Sequence, residues 1–290
     1  MKKLNVGGQA VIEGVMMRGP NYWAIAVRKP DGEIELKKEK LKLLSEKSKF
    51  FKLPIIRGFM MLLSALILGI KALNFSANIA MEEEEEEISD WHIYLTIFIA
   101  FGVGILVFFL LPLYITKLFD FKNYLIFNIV DGVIRIIFFL AYLIFISFFK
   151  DIKRIFEYHG AEHKAIYTYE KGEELTVKNA LKYTTLHPRC GTSFLIIVFI
   201  ISIFIFSLIP KSSPFYIKVL SRVVLIPIIA GISYEFLKLS DKLKNNFLMK
   251  IFIAPGLWLQ KITTKEPDEN QLEVAVVALK EILKLEEKHK

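Results

Sequence analysis

The chain has 290 residues, 54% of them hydrophobic, and its 25 phenylalanines and mean hydropathy of +0.44 exclude an ordinary soluble domain. Its net charge of +8 does not indicate a nucleic-acid partner, because the lysines flank apolar runs, where membrane orientation and attraction to anionic lipid explain them. The single cysteine excludes an internal disulfide, and residues 1–20 lack the pattern of a cleavable signal peptide. We therefore predict an integral membrane protein whose first partner is the lipid bilayer.

Residues 1–52 are predicted to lie outside the membrane as a glycine-rich segment with a β-hairpin. Trp23–Arg28 and Glu33–Lys38 alternate in polarity, and a turn signal separates them. Glu13 and Arg18 are polar residues in an apolar setting. They are either contacts to a functional site or ordinary loop contacts.

Residues 53–90 are predicted to form an interfacial or re-entrant helix followed by an acidic loop. Arg57 and Lys71 leave thirteen residues between them. That length of helix rises about 20 Å, which is short of a hydrocarbon core of about 30 Å. We therefore expect Leu53–Ala80 not to cross, and the glutamate run Glu82–Glu87 to be solvated.

Four transmembrane helices are predicted, two within residues 91–149 and two within residues 193–237. The four spans are Ile93–Ile115, Tyr124–Phe149, Phe194–Ile209 and Phe215–Leu237. Asp131 and Arg135 are four residues apart on the second span. They are expected either to pair and face the bundle, since an isolated charge is costly there, or to anchor the helix near the outer interface.

Residues 150–192 hold three of the five histidines and the only cysteine. His159 and His163 are four residues apart, so on a helix both imidazoles project from one face. With Glu162 they form the string H-x-x-E-H, an order found in metallohydrolases in which the histidines bind zinc and the glutamate is the general base. This segment is therefore predicted to be a cytoplasmic metal-site loop that continues from the second span.

His187 and Cys190 supply one more imidazole and one thiolate, and both are good zinc ligands. If all four side chains bind, the shell is closed and the metal is structural. If one of the four side chains does not bind the metal, a water molecule can occupy the open position and Glu162 can act on it. The alternative without a metal has solvated histidines and a buried cysteine.

Residues 238–290 are predicted to hold a surface-lying amphipathic segment, Phe247–Ile262, and a soluble helix, Gln271–Leu285. Two further residues are candidates for contacts behind the metal or to a substrate. Arg189 lies inside the second segment, and Glu235 either contacts the metal site or pairs with a lysine such as Lys238.

The distribution of basic residues predicts the orientation. Residues 1–57 hold 13, residues 150–192 hold 8 and residues 238–290 hold 10 of the 38 lysines and arginines. Four spans place these three segments on one side, which the positive-inside rule makes the cytoplasm. Both termini are then cytoplasmic, and the cysteine lies in a reducing compartment.

Several strings together resemble the YqhQ-like family of bacterial multi-pass membrane proteins, a domain of unknown function. The strings are Gly7–Gly19, Tyr158–Lys164, His187–Ser193, Ser233–Glu235 and Thr264–Pro267. The resemblance implies a bacterial inner membrane protein of a family described as predicted metal-dependent enzymes, and it carries no established substrate.

The sequence thus predicts a mainly α, polytopic membrane protein with four spans, one or two interfacial or re-entrant helices and a small cytoplasmic β-hairpin region. Our first hypothesis is a hydrolase that uses zinc or another divalent transition metal on a membrane-protein or lipid head-group substrate. The second is a non-enzymatic assembly or scaffold protein with a structural zinc site. A transporter is the least favoured, and nothing indicates the oligomeric state.

Overall fold

A computed structural model describes residues 4–41, 49–80, 90–210, 212–242 and 246–289, so the predicted solvated run Glu82–Glu87 lies outside the described residues. The chain is mainly helical, with an antiparallel sheet near its N-terminus, as predicted. The strands are β1 Gly7–Val11, β2 Gly14–Arg18, β3 Tyr22–Arg28 and β4 Ile34–Lys40, in the spatial order β1-β2-β3-β4. The hairpin β3–β4 confirms the prediction. The hairpin β1–β2 was not predicted, because its glycines resemble a loop.

Eleven helices lie in the described part of the chain. They are α1 Ile56–Ala80, α2 Asp90–Ile105, α3 Leu111–Lys117, α4 Tyr124–Ile146, α5 Lys150–Lys171, α6 Val177–Ala180, α7 Thr192–Ser207, α8 Phe215–Val224, α9 Ile226–Lys242, α10 Phe247–Thr263 and α11 Glu269–Glu287. The predicted amphipathic segment is α10 and the predicted soluble helix is α11, which Asp268 begins with a capping box.

The sheet is covered on both faces, which makes the N-terminal part of the protein a three-layer unit. Val15, Ala24 and Ala26 share a core with α5 and α11. Met16 and Ile25 point the other way and share a second core with α1. Because successive side chains alternate between the faces of a strand, covering both faces requires the nearly continuous apolar runs of β2 and β3.

The helix α1 is a continuous helix of 25 residues that contains both Arg57 and Lys71. By length and composition it could cross a membrane. Its packing supports the prediction that it does not cross, because Leu68 and Ala72 are buried in the same core as Trp23 of the sheet.

Among the described residues, three helical segments are long and apolar enough to span a membrane: Ile56–Ala80, Phe98–Lys117 and Tyr124–Ile146. The pair α8–α9, bent by 48°, brings the count to as many as four. The predicted third span, α7, has 16 residues and is shorter than a typical crossing helix. It begins at Thr192, two residues before the predicted start at Phe194.

Prolines mark both irregularities in the apolar helices. Pro112 follows a π-helical turn, Leu106–Leu110, and Pro227 lies just after the bend between α8 and α9. Proline has no backbone N–H to donate to the preceding turn, so the regular helical bonding pattern is lost there.

The predicted pair of Asp131 and Arg135 is present and faces the bundle. Arg222 of α8 joins it, with Nη2 3.0 Å from Oδ2 of Asp131. All three side chains are at most 2% exposed, and the ring of Phe206 lies against both guanidinium groups. The cluster links α4 to α8 by ion pairs, which are more specific than the apolar contacts between membrane helices.

The sequence suggested that the helix with the histidines continues from the second span, but the structure shows that it is separate from α4. Phe149 takes an extended backbone conformation, and a new helix, α5, begins at Lys150. This break lets α4 remain among the apolar helices while α5 turns onto the sheet.

Candidate metal centre

The two histidines of α5 each direct one ring nitrogen to a backbone carbonyl. Nδ1 of His159 lies 2.8 Å from the carbonyl oxygen of Thr263, and Nδ1 of His163 contacts that of Thr185. A carbonyl only accepts, so we assign the ring proton to Nδ1 in both residues. Nε2 of each ring is then left with a lone pair, which is the form in which histidine binds a metal.

Cys190 completes a group of three ligands. Its Sγ lies 3.2 Å from Nε2 of His159, and the ligand atoms of His159, His163 and Cys190 all lie within 4.8 Å of one another. Nε2 of His163 is buried and has no hydrogen-bond partner within the described chain. A buried nitrogen without a partner is costly, and a bound cation would satisfy it. Two imidazoles and a thiolate are a donor set suited to zinc.

Burial and neighbouring donors surround the ligand atoms. Burial lowers the pKa of His163, which keeps its imidazole neutral. Sγ of Cys190 receives the backbone N–H of Thr192 at 3.5 Å and its hydroxyl at 3.3 Å, and it lies at the start of α7. Both contacts hold the sulfur beside Nε2 of His159.

His187 lies beside this group and points to other partners. The backbone N–H of Arg189 lies 3.3 Å from Nδ1 of His187, and Nε2 lies 3.3 Å from a carboxylate oxygen of Glu170. The side-chain amide of Gln260 holds the backbone of His187 through bonds of 2.7 and 2.9 Å. The three-ligand group therefore forms without His187, although its ring contacts that of His163, with centroids 5.6 Å apart.

Glu162 borders the same cavity and is almost fully buried. Burial raises the pKa of its carboxyl group. A Cβ at residue 8 would lie 2.9 Å from Cδ of Glu162. Glycine is therefore what allows strand β1 to approach the glutamate this closely.

The cavity has a volume of about 540 Å³ and lies where the three-layer unit meets the apolar helices. One wall is the start of strand β1, a second is the site-bearing face of α5, and a third is formed by Leu143 of α4 and Leu195 of α7. Two apolar helices therefore contribute to its rim.

The other predicted site residues separate into two groups. Arg189 borders the cavity and forms an ion pair with Glu170. The remaining three do not line this cavity. Glu13 pairs with Arg154 at 2.5 Å, Glu235 pairs with Arg57 through bonds of 2.6 and 2.5 Å, and Arg18 lines a neighbouring cavity. Glu235 was predicted either to contact the metal site or to pair with a lysine. It forms an ion pair, but the partner is Arg57 of α1 and not a lysine.

Several residues that complete the site were not identified from the sequence. Thr185 and Thr263 act through backbone carbonyls, so their side chains give no signal. Gln260 is a fully buried amide in an apolar segment, and this placement could have been noticed. Gly160, in the histidine string, allows α5 to approach the chain after α10, since a Cβ there would lie 2.1 Å from the carbonyl oxygen of Lys265.

Fold and site together define a polytopic membrane protein with a three-layer α/β unit and a histidine–histidine–cysteine group that could hold a metal. Residues 53–285 match the family described as "Protein of unknown function (DUF1385)". The chain is 37% identical over 302 residues to "Uncharacterized protein YqhQ" of Bacillus subtilis (strain 168), an alignment that covers 97% of this chain and 92% of that protein. The chain belongs to the DUF1385 family, which confirms the resemblance seen in the sequence. No solved structure matches it.

Proposed function

We propose that this protein is a membrane-embedded, metal-dependent hydrolase, with zinc as the first choice of metal. The observation that supports it is one arrangement of side chains. The ligand atoms of His159, His163 and Cys190 lie within 4.8 Å of one another, and Glu162 borders the cavity into which they face. Three protein ligands and an open fourth position are typical of catalytic zinc, whereas structural zinc is usually held by four.

Each residue has a defined role in this proposal. His159, His163 and Cys190 would hold the metal, which when bound supplies a Lewis acid and makes a water molecule more acidic. Glu162 accepts the proton of the attacking water at its carboxylate, and Gly8 of strand β1 packs against that carboxylate. A carboxyl group with a raised pKa is a better match to a general base near neutral pH than an exposed one.

The position of the cavity supports a membrane-proximal substrate, either a peptide segment of another membrane protein or a lipid head group. Leu143 and Leu195 bring the ends of two apolar helices to its rim. We propose a location in the bacterial inner membrane with both termini and the site in the cytoplasm, based on the positive-inside pattern.

A structural metal in a non-enzymatic scaffold protein is the second candidate. One observation favours it. The group and its backbone partners join α5, the loop before α7 and the end of α10, so a metal here would staple three distant segments.

The substitution Glu162→Gln separates the candidates, and His163→Ala tests the metal site that they share. In a hydrolase, Glu162→Gln keeps metal and fold while the cleavage of a peptide or a lipid head group falls by at least about a hundredfold. In a scaffold, Glu162→Gln has almost no effect. His163→Ala should lower the metal content in both cases, and Glu174→Gln, an exposed change nearby, is the matched control. Metal content is measured by mass spectrometry of the purified protein, and a well-folded protein without metal would refute both candidates.

A further inference from the structure

We infer that the substrate is an extended peptide, which binds by adding as a fifth strand to the outer edge of β1. The inference rests on the proposed hydrolase function and names its substrate class. It starts from the sheet order, in which β1 is an edge strand. Within the described residues no strand pairs with its outer side, and Gly7, Gly8 and Gln9 are exposed.

The register shows which backbone groups face outward. Val11 and Gly14 flank a two-residue turn, so they are a hydrogen-bonded pair. Hydrogen-bonded and non-hydrogen-bonded pairs alternate along an antiparallel ladder, so Gln9 and Gly7 are also hydrogen-bonded to β2. Gly8 and Ala10 therefore direct their N–H and C=O groups away from the sheet.

The two edges of the sheet differ in a way that supports binding at β1. The β4 edge, Ile34–Lys40, carries four charged residues that are exposed, and such charges protect an edge from pairing with another chain. The exposed part of β1 carries two glycines and a glutamine. The sheet is thus protected on the side away from the site and open on the side next to it.

Cavities lie on both faces of this open edge. The cavity of about 540 Å³ holds the metal-binding group, and one of about 620 Å³ lies on the α1 side. Both are lined by the same four residues, Val6 to Gln9. Because side chains of a strand alternate between faces, a peptide paired with β1 would place successive side chains in the two cavities.

Arg18 gives the second cavity a preference for an acidic side chain. Burial lowers the pKa of its guanidinium, and no carboxylate among the described residues pairs with it. The side chain that enters this cavity is expected to be acidic, because a carboxylate would give Arg18 the partner it lacks.

The placement suits hydrolysis of the peptide backbone. Glu162 already contacts the edge at Gly8, so a peptide pairing there would have a carbonyl close to the ligand group. In the reaction the C–N bond breaks and the oxygen of water bonds to the carbonyl carbon. The proton that Glu162 accepts passes to the departing amine.

The test uses the full chain, loaded with zinc in lipid nanodiscs, with Glu162→Gln present so that bound peptide is not cleaved. A pool of random eight-residue peptides, capped at both ends, is applied, and the retained peptides are identified by mass spectrometry. We expect retention, with an acidic residue enriched at one position and the enrichment lost in Arg18→Gln. N-methylation of a retained peptide, one amide at a time, should weaken binding at alternate positions, which is the signature of strand pairing.

A proline pair supplies the control. Ala10→Pro removes an outward N–H without touching the β1–β2 ladder, and it should weaken binding roughly fivefold, the equivalent of one net hydrogen bond of about 1 kcal/mol. Leu36→Pro removes an outward N–H from the opposite edge and should leave binding unchanged. Three outcomes would overturn the inference. The two prolines could have equal effects, no peptide could be retained, or Glu162 could be required for the cleavage of lipid head groups alone. Peptide retention without cleavage by the unmodified protein would instead refute the hydrolase and leave strand pairing standing.

Discussion

At the scale of single residues, the position of the proposed general base depends on the missing side chain of Gly8. A Cβ there would lie 2.7 Å from the carbonyl oxygen of Met16 and 2.9 Å from Cδ of Glu162. Part of this contact is backbone, so a flexible side chain cannot relieve it by rotating away. The strand or the glutamate has to move.

We therefore predict that Gly8→Ala destabilises the protein by about 1–3 kcal/mol and greatly reduces hydrolysis. Gly7→Ala is the matched control, since a Cβ at residue 7 would have no atom within 4 Å. Thermal unfolding and cleavage are both measured. Equal behaviour of the two variants would contradict the close packing of β1 on Glu162.

The thiolate of Cys190 gives a second prediction at this scale. Cobalt substituted for zinc should show the sulfur-to-metal charge-transfer absorption of a bound thiolate, and Cys190→Ser should abolish it. Thr192→Val removes the hydroxyl that lies 3.3 Å from Sγ and should weaken metal binding by about tenfold while keeping the absorption. An unchanged spectrum in Cys190→Ser would remove the cysteine from the ligand set.

At the scale of elements, α1 and α9 cross where each carries a glycine. A Cβ at Gly231 would lie 2.4 Å from the carbonyl oxygen of Ile55, and one at Gly58 would lie 2.8 Å from the carbonyl oxygen of Gly231. The ion pair of Arg57 with Glu235 lies beside this crossing. Close backbone contact and the ion pair together fix how α1 leaves the bundle.

Gly231→Ala should accordingly lower the stability of the purified protein, in spite of the better helix propensity of alanine, which favours it by about 1 kcal/mol. Gly104→Ala, in α2, has no atom within 4 Å of the new Cβ and should be neutral or slightly stabilising. Loss of folded protein on heating in detergent measures both variants. A stabilised Gly231→Ala would show that α1 and α9 are farther apart.

The ionic cluster joins elements in the bundle in a different way. Asp131 is the carboxylate that Arg135 and Arg222 share, and all three side chains are buried. Asp131→Asn keeps the shape and leaves two buried positive charges, so we expect a loss of about 3–5 kcal/mol. Asp120→Asn, an exposed change in the loop before α4, is the control and should be silent in the same assay.

At the scale of the whole molecule, the packing of the three-layer unit restricts the topology. Strands β2 and β3, helix α5 and helix α11 contribute to one buried core, so we predict that the segments that carry them lie on the same side of the membrane. The second half of α1 belongs to the neighbouring core on the sheet. This arrangement supports the orientation predicted from the basic residues.

Labelling of single cysteines in a Cys190→Ser background tests the predicted membrane orientation. A membrane-impermeant maleimide should label Asp120→Cys in intact cells, and should label Asp31→Cys and Lys288→Cys only after the membrane is opened. Different accessibility of residues 31 and 288 would contradict the shared core, whichever side proved to be cytoplasmic.

The sequence alone determined those features that depend on local pattern. Runs of apolar residues gave the membrane class, alternation gave the hairpin β3–β4, and the helical spacing of His159 and His163 placed both imidazoles on one face of α5. These follow from the chain's own geometry over a few residues. The spacing of Asp131 and Arg135 likewise predicted their pairing, although nothing local indicated that Arg222 would join them.

Only the tertiary structure decided which distant residues meet. Cys190 is brought to His159 by a loop whose path depends on Gln260, and Glu235 pairs with Arg57 because α1 crosses α9. Contacts of this kind depend on side-chain fit between elements that are far apart in sequence, and on backbone carbonyls that carry no residue identity. The open edge of β1 is also a tertiary property, because a strand becomes an edge only when the order of the whole sheet is fixed.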